Sequence, residues 1–327
     1  MIKIGIMSFA HMHAYSYAEC LNALPGVELA AVWGYNHRRA SAAARQFNTR
    51  YVKDVNAFLE LDLDGVIICS ENTRHRALVE LAASAGKWIL CEKPLAPTVA
   101  EAKQMIAVCK RAGVGLGTAF PCRFAEPLIA ARDQLRSGDY GEVYAISATN
   151  HGKFPGGWFA DPHWSGGGAV MDHTVHVADL LRWMLGKEFT SVYCEGDNLL
   201  HQGEIGVDDL GSLQLEMEGG LQVNHLASWS RCKSFPTWGD VTLEIVAEKG
   251  VLRVDAFNQK LNVYSDAARA AEWAPYGDNP DRGLVMDFVD SIMERRDPCA
   301  SGLDGLRATE VTVAAERSMR THRPVKI

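Results

Sequence analysis

The stretch Asp64-Gly65-Val66-Ile67-Ile68-Cys69, a helical pattern from Thr73 to Ala85, and then Lys87-Trp88-Ile89-Leu90-Cys91 decides the fold. Both short runs are apolar at successive positions, so each places side chains on two covered faces of a sheet, as strands of parallel sheets do. A helix between two such strands is the crossover that a parallel pair requires. The alternation continues outward. Strand Ile2 to Met7, helix His13 to Leu24, turn Pro25-Gly26, strand Val27 to Trp33 and helix Arg39 to Phe47 precede it; helix Thr98 to Arg111 and strand Val114 to Ala119 follow. This pattern predicts a doubly wound α/β domain of nucleotide-binding type.

From about Pro121 the pattern changes. A helix, Glu126 to Arg136, is followed by strand Glu142 to Thr149, a Gly/Pro/Trp loop from His151 to Gly168, and a helix from Ala169 to Leu185. Alternating segments then follow without helices between them: Thr190 to Cys194, Asp209 to Met217, Leu221 to Ser230, Val241 to Ala247, Val251 to Asp255 and Leu261 to Tyr264. Consecutive strands of this kind predict an open, mostly antiparallel sheet. Helices Gly283 to Arg295 and Gly302 to Thr321 and a strand Pro324 to Ile327 close the chain. The expected organisation is a parallel-sheet domain over residues 1–121 and an α+β domain over residues 122–327, and 327 residues are enough for both.

Composition narrows the function. With 33 basic against 40 acidic side chains, a net charge of -7 and no basic run, nothing is suited to track a phosphate backbone, which argues against a nucleic-acid partner. No stretch is apolar for long enough to span a membrane, and no basic leader precedes the first strand, so a cytoplasmic protein is expected. The 8 cysteines include no C-x-x-C pair, which fits a reducing compartment.

Three places carry chemistry. Between the first strand and helix, where G-x-G-x-x-G would cradle a pyrophosphate, stands Ser8-Phe9-Ala10-His11-Met12-His13. The glycines are absent, although Ser8 and Ala10 are small. His11 and His13 admit a second reading, because H-x-H after a first strand opens the ligand set of some metal-dependent hydrolases; without a convincing set of later strand-end ligands, no metal is expected. At Cys91-Glu92-Lys93-Pro94 a charged pair ends a parallel strand, where open-sheet ligands bind, and the proline stiffens the turn; the plain alternative is a solvated lysine. Third, Gly166-Gly167-Gly168 feeds a helix with Asp172 and His176 at i and i+4 on one face. A carboxylate beside an imidazole suits acid-base work, while an ordinary surface pair, or a metal pair of His173 with His176, are the other readings.

Together, Glu92-Lys93-Pro94, the G-G-G-x-x-x-D-x-x-x-H run, Asp179-Leu180-Leu181-Arg182-Trp183-Met184-Leu185-Gly186 and the Arg123-Phe124 pair resemble the glucose-fructose oxidoreductase and inositol dehydrogenase family, Gfo/Idh/MocA. The resemblance implies a Rossmann domain, a C-terminal domain whose open sheet often forms homo-oligomers (dimers or tetramers), and NAD(P)-dependent chemistry on a sugar, polyol or inositol-like substrate. It implies that Lys93, Asp172 and His176 are the catalytic group. His176 takes the hydroxyl proton, Lys93 hydrogen-bonds the reacting oxygen, and Asp172 holds a neighbouring hydroxyl. On the cofactor side it implies the loop Ser8, Phe9, Ala10, His11 and Met12, then Ser70, Asn72 and His75 after the fourth strand, Glu92 with Lys93, and Arg123 near the cofactor amide. After the second strand NAD-preferring members carry an acid, whereas this chain has Gly34-Tyr35-Asn36-His37-Arg38-Arg39. An uncharged Asn36 followed by Arg38 and Arg39 suits a 2′-phosphate, so the cofactor is expected to be NAD(P) with a lean to NADP. Trp158 and Trp164, with His163, could pack on the apolar faces of a sugar or simply pack between domains. Relatives that use transient oxidation for glycoside cleavage, or that have lost catalysis and sense the cofactor, are the alternatives within the fold; a metal-dependent hydrolase using His11 and His13 is the alternative outside it.

Overall fold

The apolar runs of the first third pair side by side. In the computed structural model, which describes residues 1–267, 270–277 and 279–327, they form one sheet of six strands: β1 Ile2–Met7, β2 Val27–Trp33, β3 Arg50–Tyr51, β4 Gly65–Ile68, β5 Trp88–Glu92 and β6 Leu116–Ala119. All its pairings are parallel, and its order is β3-β2-β1-β4-β5-β6. That is the doubly wound order, in which the chain starts mid-sheet and reverses direction beside β1, opening a crevice at the strands' carboxyl ends. Helices α1 His13–Ala23, α2 His37–Gln46, α3 Val55–Leu59, α4 His75–Ser84 and α5 Val99–Ala112 make the crossovers.

Burial follows from strands covered on both faces: Ile4, Ile6, Met7, Val66, Ile67 and Ile68 are all fully buried. Within residues 1–120 two strands or α-helices were not expected. β3 is two residues long, too short for any period, and is fixed by pairing with Ala31 and Val32; α3 wedges Phe58 so tightly over Gly5 that a Cβ there would lie 2.5 Å from the ring. Helix α4 begins at His75, later than expected, because Asn72–Arg74 forms a 3-10 turn. The compact unit built on this sheet comprises Met1–Pro121, His163–Gly166 and Asp281–Thr309.

A second unit comprises Cys122–Pro162, Gly167–Pro280 and Glu310–Ile327. Its strands are β7 Val143–Lys153, β8 Phe189–Asp197, β9 Leu210–Met217, β10 Leu221–Arg231, β11 Gly239–Ala247, β12 Gly250–Asp255 and β15 Val325–Lys326, in the order β12-β11-β7-β10-β9-β8-β15. β7 and β10 run parallel and the other pairs antiparallel, so the sheet is mixed but mostly antiparallel. A separate hairpin joins β13 Lys260–Ser265 to β14 Ala270–Pro275, the latter unanticipated. Helices α6 Glu126–Arg136 and α8 Ala169–Leu185 lie wholly in this unit, while α7 Pro162–Ser165, α9 Pro280–Glu294 and α10 Gly302–Thr321 each include residues of both. β7 continues to Lys153, past the expected end at Thr149, so His151 lies in a strand rather than a loop. α8 lies against β10 and β7 and is buried at every residue from Ala169 to Leu181, as a helix apolar around most of its surface must be.

Candidate active site

The β1–α1 loop keeps the backbone of a glycine turn without the glycines. Ser8 sits at φ +79°, in the left-handed region that glycine enters freely and serine rarely does, and its Oγ accepts the Ala10 N–H at 3.2 Å. His11 N–H bonds the Cys69 carbonyl at 3.0 Å, tying the loop to the end of β4. No side chain caps α1 at Met12. After β2, Asn36 caps α2 by accepting the Arg39 N–H at 3.0 Å, Arg39 Nη1 donates to the Phe9 carbonyl at 3.2 Å, and Arg38 is exposed. No carboxylate stands at the end of β2.

Glu92 and Lys93 end β5 fully or nearly fully buried, and the Lys93–Pro94 peptide is cis. The Lys93 N–H donates to Glu92 Oε2 at 3.1 Å. Burial opposes ionisation of Glu92, but His11, His13 and Lys93 outweigh it and hold the carboxyl well below its usual range. Burial likewise works against charge on His13, yet the Glu92 carboxylate leaves its pKa raised. His75 is fully buried, with Nδ1 3.0 Å from the Pro94 carbonyl and Nε2 3.2 Å from the Ser70 carbonyl. Burial lowers its pKa, although Glu92 and these carbonyls pull the other way. Its ring thus braces the turn carrying Lys93 against the β4–α4 loop. Asn72 Nδ2 donates to the Ser165 carbonyl at 2.9 Å, and Ser70 Oγ to the Glu71 carbonyl at 3.2 Å.

Sequence reading passed over Arg74 and Tyr35. The Arg74 guanidinium lies 3.9 Å from the Tyr35 ring centre and 4.2 Å from that of Trp164, a cation between two aromatic faces. Trp164 is thereby occupied on one face within the first unit, and Trp158 stacks on Phe159 at 3.8 Å within the second.

In the second unit, α8 presents Asp172 and His176 one turn apart, 5% and 9% exposed. Asp172 Oδ2 accepts the indole N–H of fully buried Trp229 at 3.1 Å and lies 3.3 Å from His173 Nε2; His173 Nδ1 donates to the Asn150 carbonyl at 2.8 Å. The thiol of Cys122 lies 3.9 Å from His176 Nδ1. Arg123, expected near the cofactor amide, gives its guanidinium to Asp179 in a two-pronged pair at 2.7 and 2.5 Å, both side chains buried. Trp229 had no local signal, lying 57 residues from Asp172, and the pairing of Asp179 with Arg123, 56 residues apart, had none either.

Strand order, a glycine-like loop without glycine, and a buried carboxylate–imidazole helix define a dinucleotide-fold enzyme. Residues 2–120 match the oxidoreductase family with an NAD-binding Rossmann fold, and residues 128–253 match the GFO/IDH/MocA C-terminal domain. The chain belongs to the Gfo/Idh/MocA family of oxidoreductases. It is 24% identical to myo-inositol 2-dehydrogenase of Thermotoga maritima over all of this chain and 98% of that protein. It is 26% identical to D-apiose dehydrogenase of Paraburkholderia graminis over all of this chain and 88% of that one. In fold it is similar to GenD2 from gentamicin A biosynthesis, solved in complex with NAD, with a TM-score of 0.90 at 23% identity over all of this chain and 96% of that one. These matches do not favour the hydrolase, glycoside-cleavage or sensor readings. Among the described residues no helix is long and apolar enough to cross a membrane.

Proposed function

We propose that the protein oxidises or reduces a secondary alcohol or ketone carbon of a sugar, polyol or inositol-like substrate with a nicotinamide dinucleotide, preferring NADP. The observation carrying this reading is the α8 face, where a buried carboxylate and a buried imidazole stand one turn apart in a chain whose two parts match this oxidoreductase family.

Whether the first unit fits the cofactor rests on its own backbone. Ser8 holds the left-handed turn that lets a chain approach a pyrophosphate, and α1 starts without a side-chain cap, so the loop Ser8 to Met12 is the part that would hold the phosphates. The nicotinamide ring, when bound, supplies the hydride acceptor or donor. His176 takes the proton of the reacting hydroxyl, or returns it in reduction. The Lys93 ammonium donates a hydrogen bond to the reacting oxygen and stabilises its developing negative charge. Asp172, fixed by the Trp229 indole, accepts a hydrogen bond from an adjacent substrate hydroxyl and so orders the reacting carbon. Ser70, Asn72 and His75 frame the turn that carries Lys93 within the first unit, Arg123 is held by Asp179 within the second, and Trp158 and Trp164 offer aromatic edges to a sugar ring. Residues 1–121 hold the cofactor and residues 122–327 the substrate, with homo-oligomers formed through the second sheet.

Preference for NADP rests on the uncharged Asn36, which leaves no carboxylate to repel a 2′-phosphate, and on exposed Arg38. Sugars and inositols assayed with NAD+ and NADP+ separately at 340 nm test the whole reading. At least one substrate class should reduce NADP+ faster than NAD+. If none reduces either dinucleotide and the protein binds neither, the reading fails.

A further inference from the structure

The H-x-H pair of the β1–α1 loop acquires in the fold a third partner that sequence distance concealed. Glu92 Oε1 lies 3.1 Å from His13 Nδ1 and 3.7 Å from His11 Nδ1, and the two imidazole centres are 4.2 Å apart. One donor atom from each of the three residues falls within 4.8 Å of the others. Three ligands at about 2.0–2.2 Å from a tetrahedral ion lie roughly 3.3–3.6 Å from one another, and the two histidine-to-carboxylate spacings, 3.1 and 3.7 Å, bracket that range. Glu92 and His11 are 0% and 3% exposed at the side chain and His13 is 30%, which places two ligands in the protein and leaves the third on the open side.

We infer that His11, His13 and Glu92 form a binding site for one divalent transition-metal ion of the zinc class, with a fourth position open on the side of His13. Two imidazoles and one carboxylate are the donor set that zinc and its neighbours take, whereas magnesium and calcium favour all-oxygen shells. The surroundings suit a cation. Asp281, bonded to Ser16 at 2.5 Å, adds negative charge felt by His13. The Tyr17 hydroxyl, 3.3 Å from His13 Nδ1, stands where it can hold a ligating group in place. Binding exchanges the 3.2 Å approach of the His13 N–H to His11 Nδ1, and the 3.1 Å hydrogen bond between His13 Nδ1 and Glu92 Oε1, for coordination of these atoms. Against this stands a metal-free account in which His11, His13 and Lys93 alone offset Glu92. That account predicts no stoichiometric uptake. The site fastens the β1–α1 loop to the end of β5, and the inference stands or falls independently of hydride transfer.

The test uses the full chain, stripped with chelator and titrated with Zn2+ and with Co2+. One ion per chain should survive gel filtration, Co2+ should give the visible bands of a four-coordinate nitrogen and oxygen site, and Zn2+ should raise the melting temperature by several degrees. Glu92→Gln and His13→Asn should each weaken Zn2+ binding at least about tenfold. The unsubstituted chain's cobalt spectrum reads the site even where a variant folds poorly. Uptake well below one ion per chain, or uptake that both folded variants retain unchanged, overturns the proposal, and the second result would place the ion elsewhere.

Discussion

At Ser8 a non-glycine residue occupies φ +79°, and the cost of that conformation for an L-residue is roughly 1 kcal/mol. Ser8→Ala removes the hydrogen bond to Ala10 and keeps the strain, whereas Ser8→Gly removes both. Chemical denaturation should therefore rank the glycine variant about 1 kcal/mol more stable than the alanine variant; equal stabilities would deny that the loop holds a glycine-type turn. On the proposed function, turnover should depend most on Lys93 and His176. Lys93→Ala and His176→Ala should each lower kcat at least about 100-fold while dinucleotide affinity stays within a few-fold. Loss of binding in step with loss of turnover would give them a different role. These residues were legible because each belongs to a short run, E-K-P or D-x-x-x-H. Trp229, which fixes Asp172, and the pairing of Glu92 with His13 were not, because partners 57 and 79 residues apart meet only in the folded chain.

Among the elements, α8 explains why three glycines precede it. Gly166 holds φ +76°, a Cβ on Gly167 would lie 2.6 Å from Glu316 Oε1, and one on Gly168 would lie 2.0 Å from the Asp208 carbonyl. Asp208 closes the start of the helix, its carbonyl accepting the Ala169 N–H at 2.9 Å and its carboxylate the Val170 N–H at 2.7 Å. Burial raises the Asp208 pKa to about 6, and burial followed by the Asp208 charge raises Glu316 to about 8. A carboxyl whose pKa is higher folded than unfolded contributes stability below the unfolded value, and that contribution is lost as pH rises through the folded value. Stability should fall from about pH 4, where the unfolded carboxyls ionise, to about pH 8; the part of the fall above pH 6, on the order of 1–2 kcal/mol, belongs to Glu316, and Glu316→Gln should flatten it. Thermal melts across this range check it; an unchanged slope in the variant would rule Glu316 out as its source. The glycines and α8 were legible in outline, because a long apolar helix after Gly-Gly-Gly has few other readings. The partners that require glycine were not, since Asp208 and Glu316 reach the helix start from distant parts of the sequence. β3 and α3 escaped for another reason: elements of two and five residues carry no period.

For the whole molecule, the parallel sheet followed from strands apolar on both faces, and the observed order β3-β2-β1-β4-β5-β6 places the β1–α1 loop, the turn after β2 and Lys93 at the carboxyl ends of its strands. If the turn after β2 reads the 2′-phosphate, NADP+ should raise the melting temperature more than NAD+ at equal concentration, and Arg38→Ala should abolish the difference. An equal response from the unsubstituted protein would remove the preference. The central claim, that these parts move a hydride between a hydroxyl-bearing carbon and nicotinamide, is tested most directly by isotope transfer. With the best substrate deuterated at the reacting carbon, the reduced dinucleotide recovered should carry one deuterium at nicotinamide C4 per turnover. Substrate consumed while the dinucleotide comes back undeuterated would contradict the account.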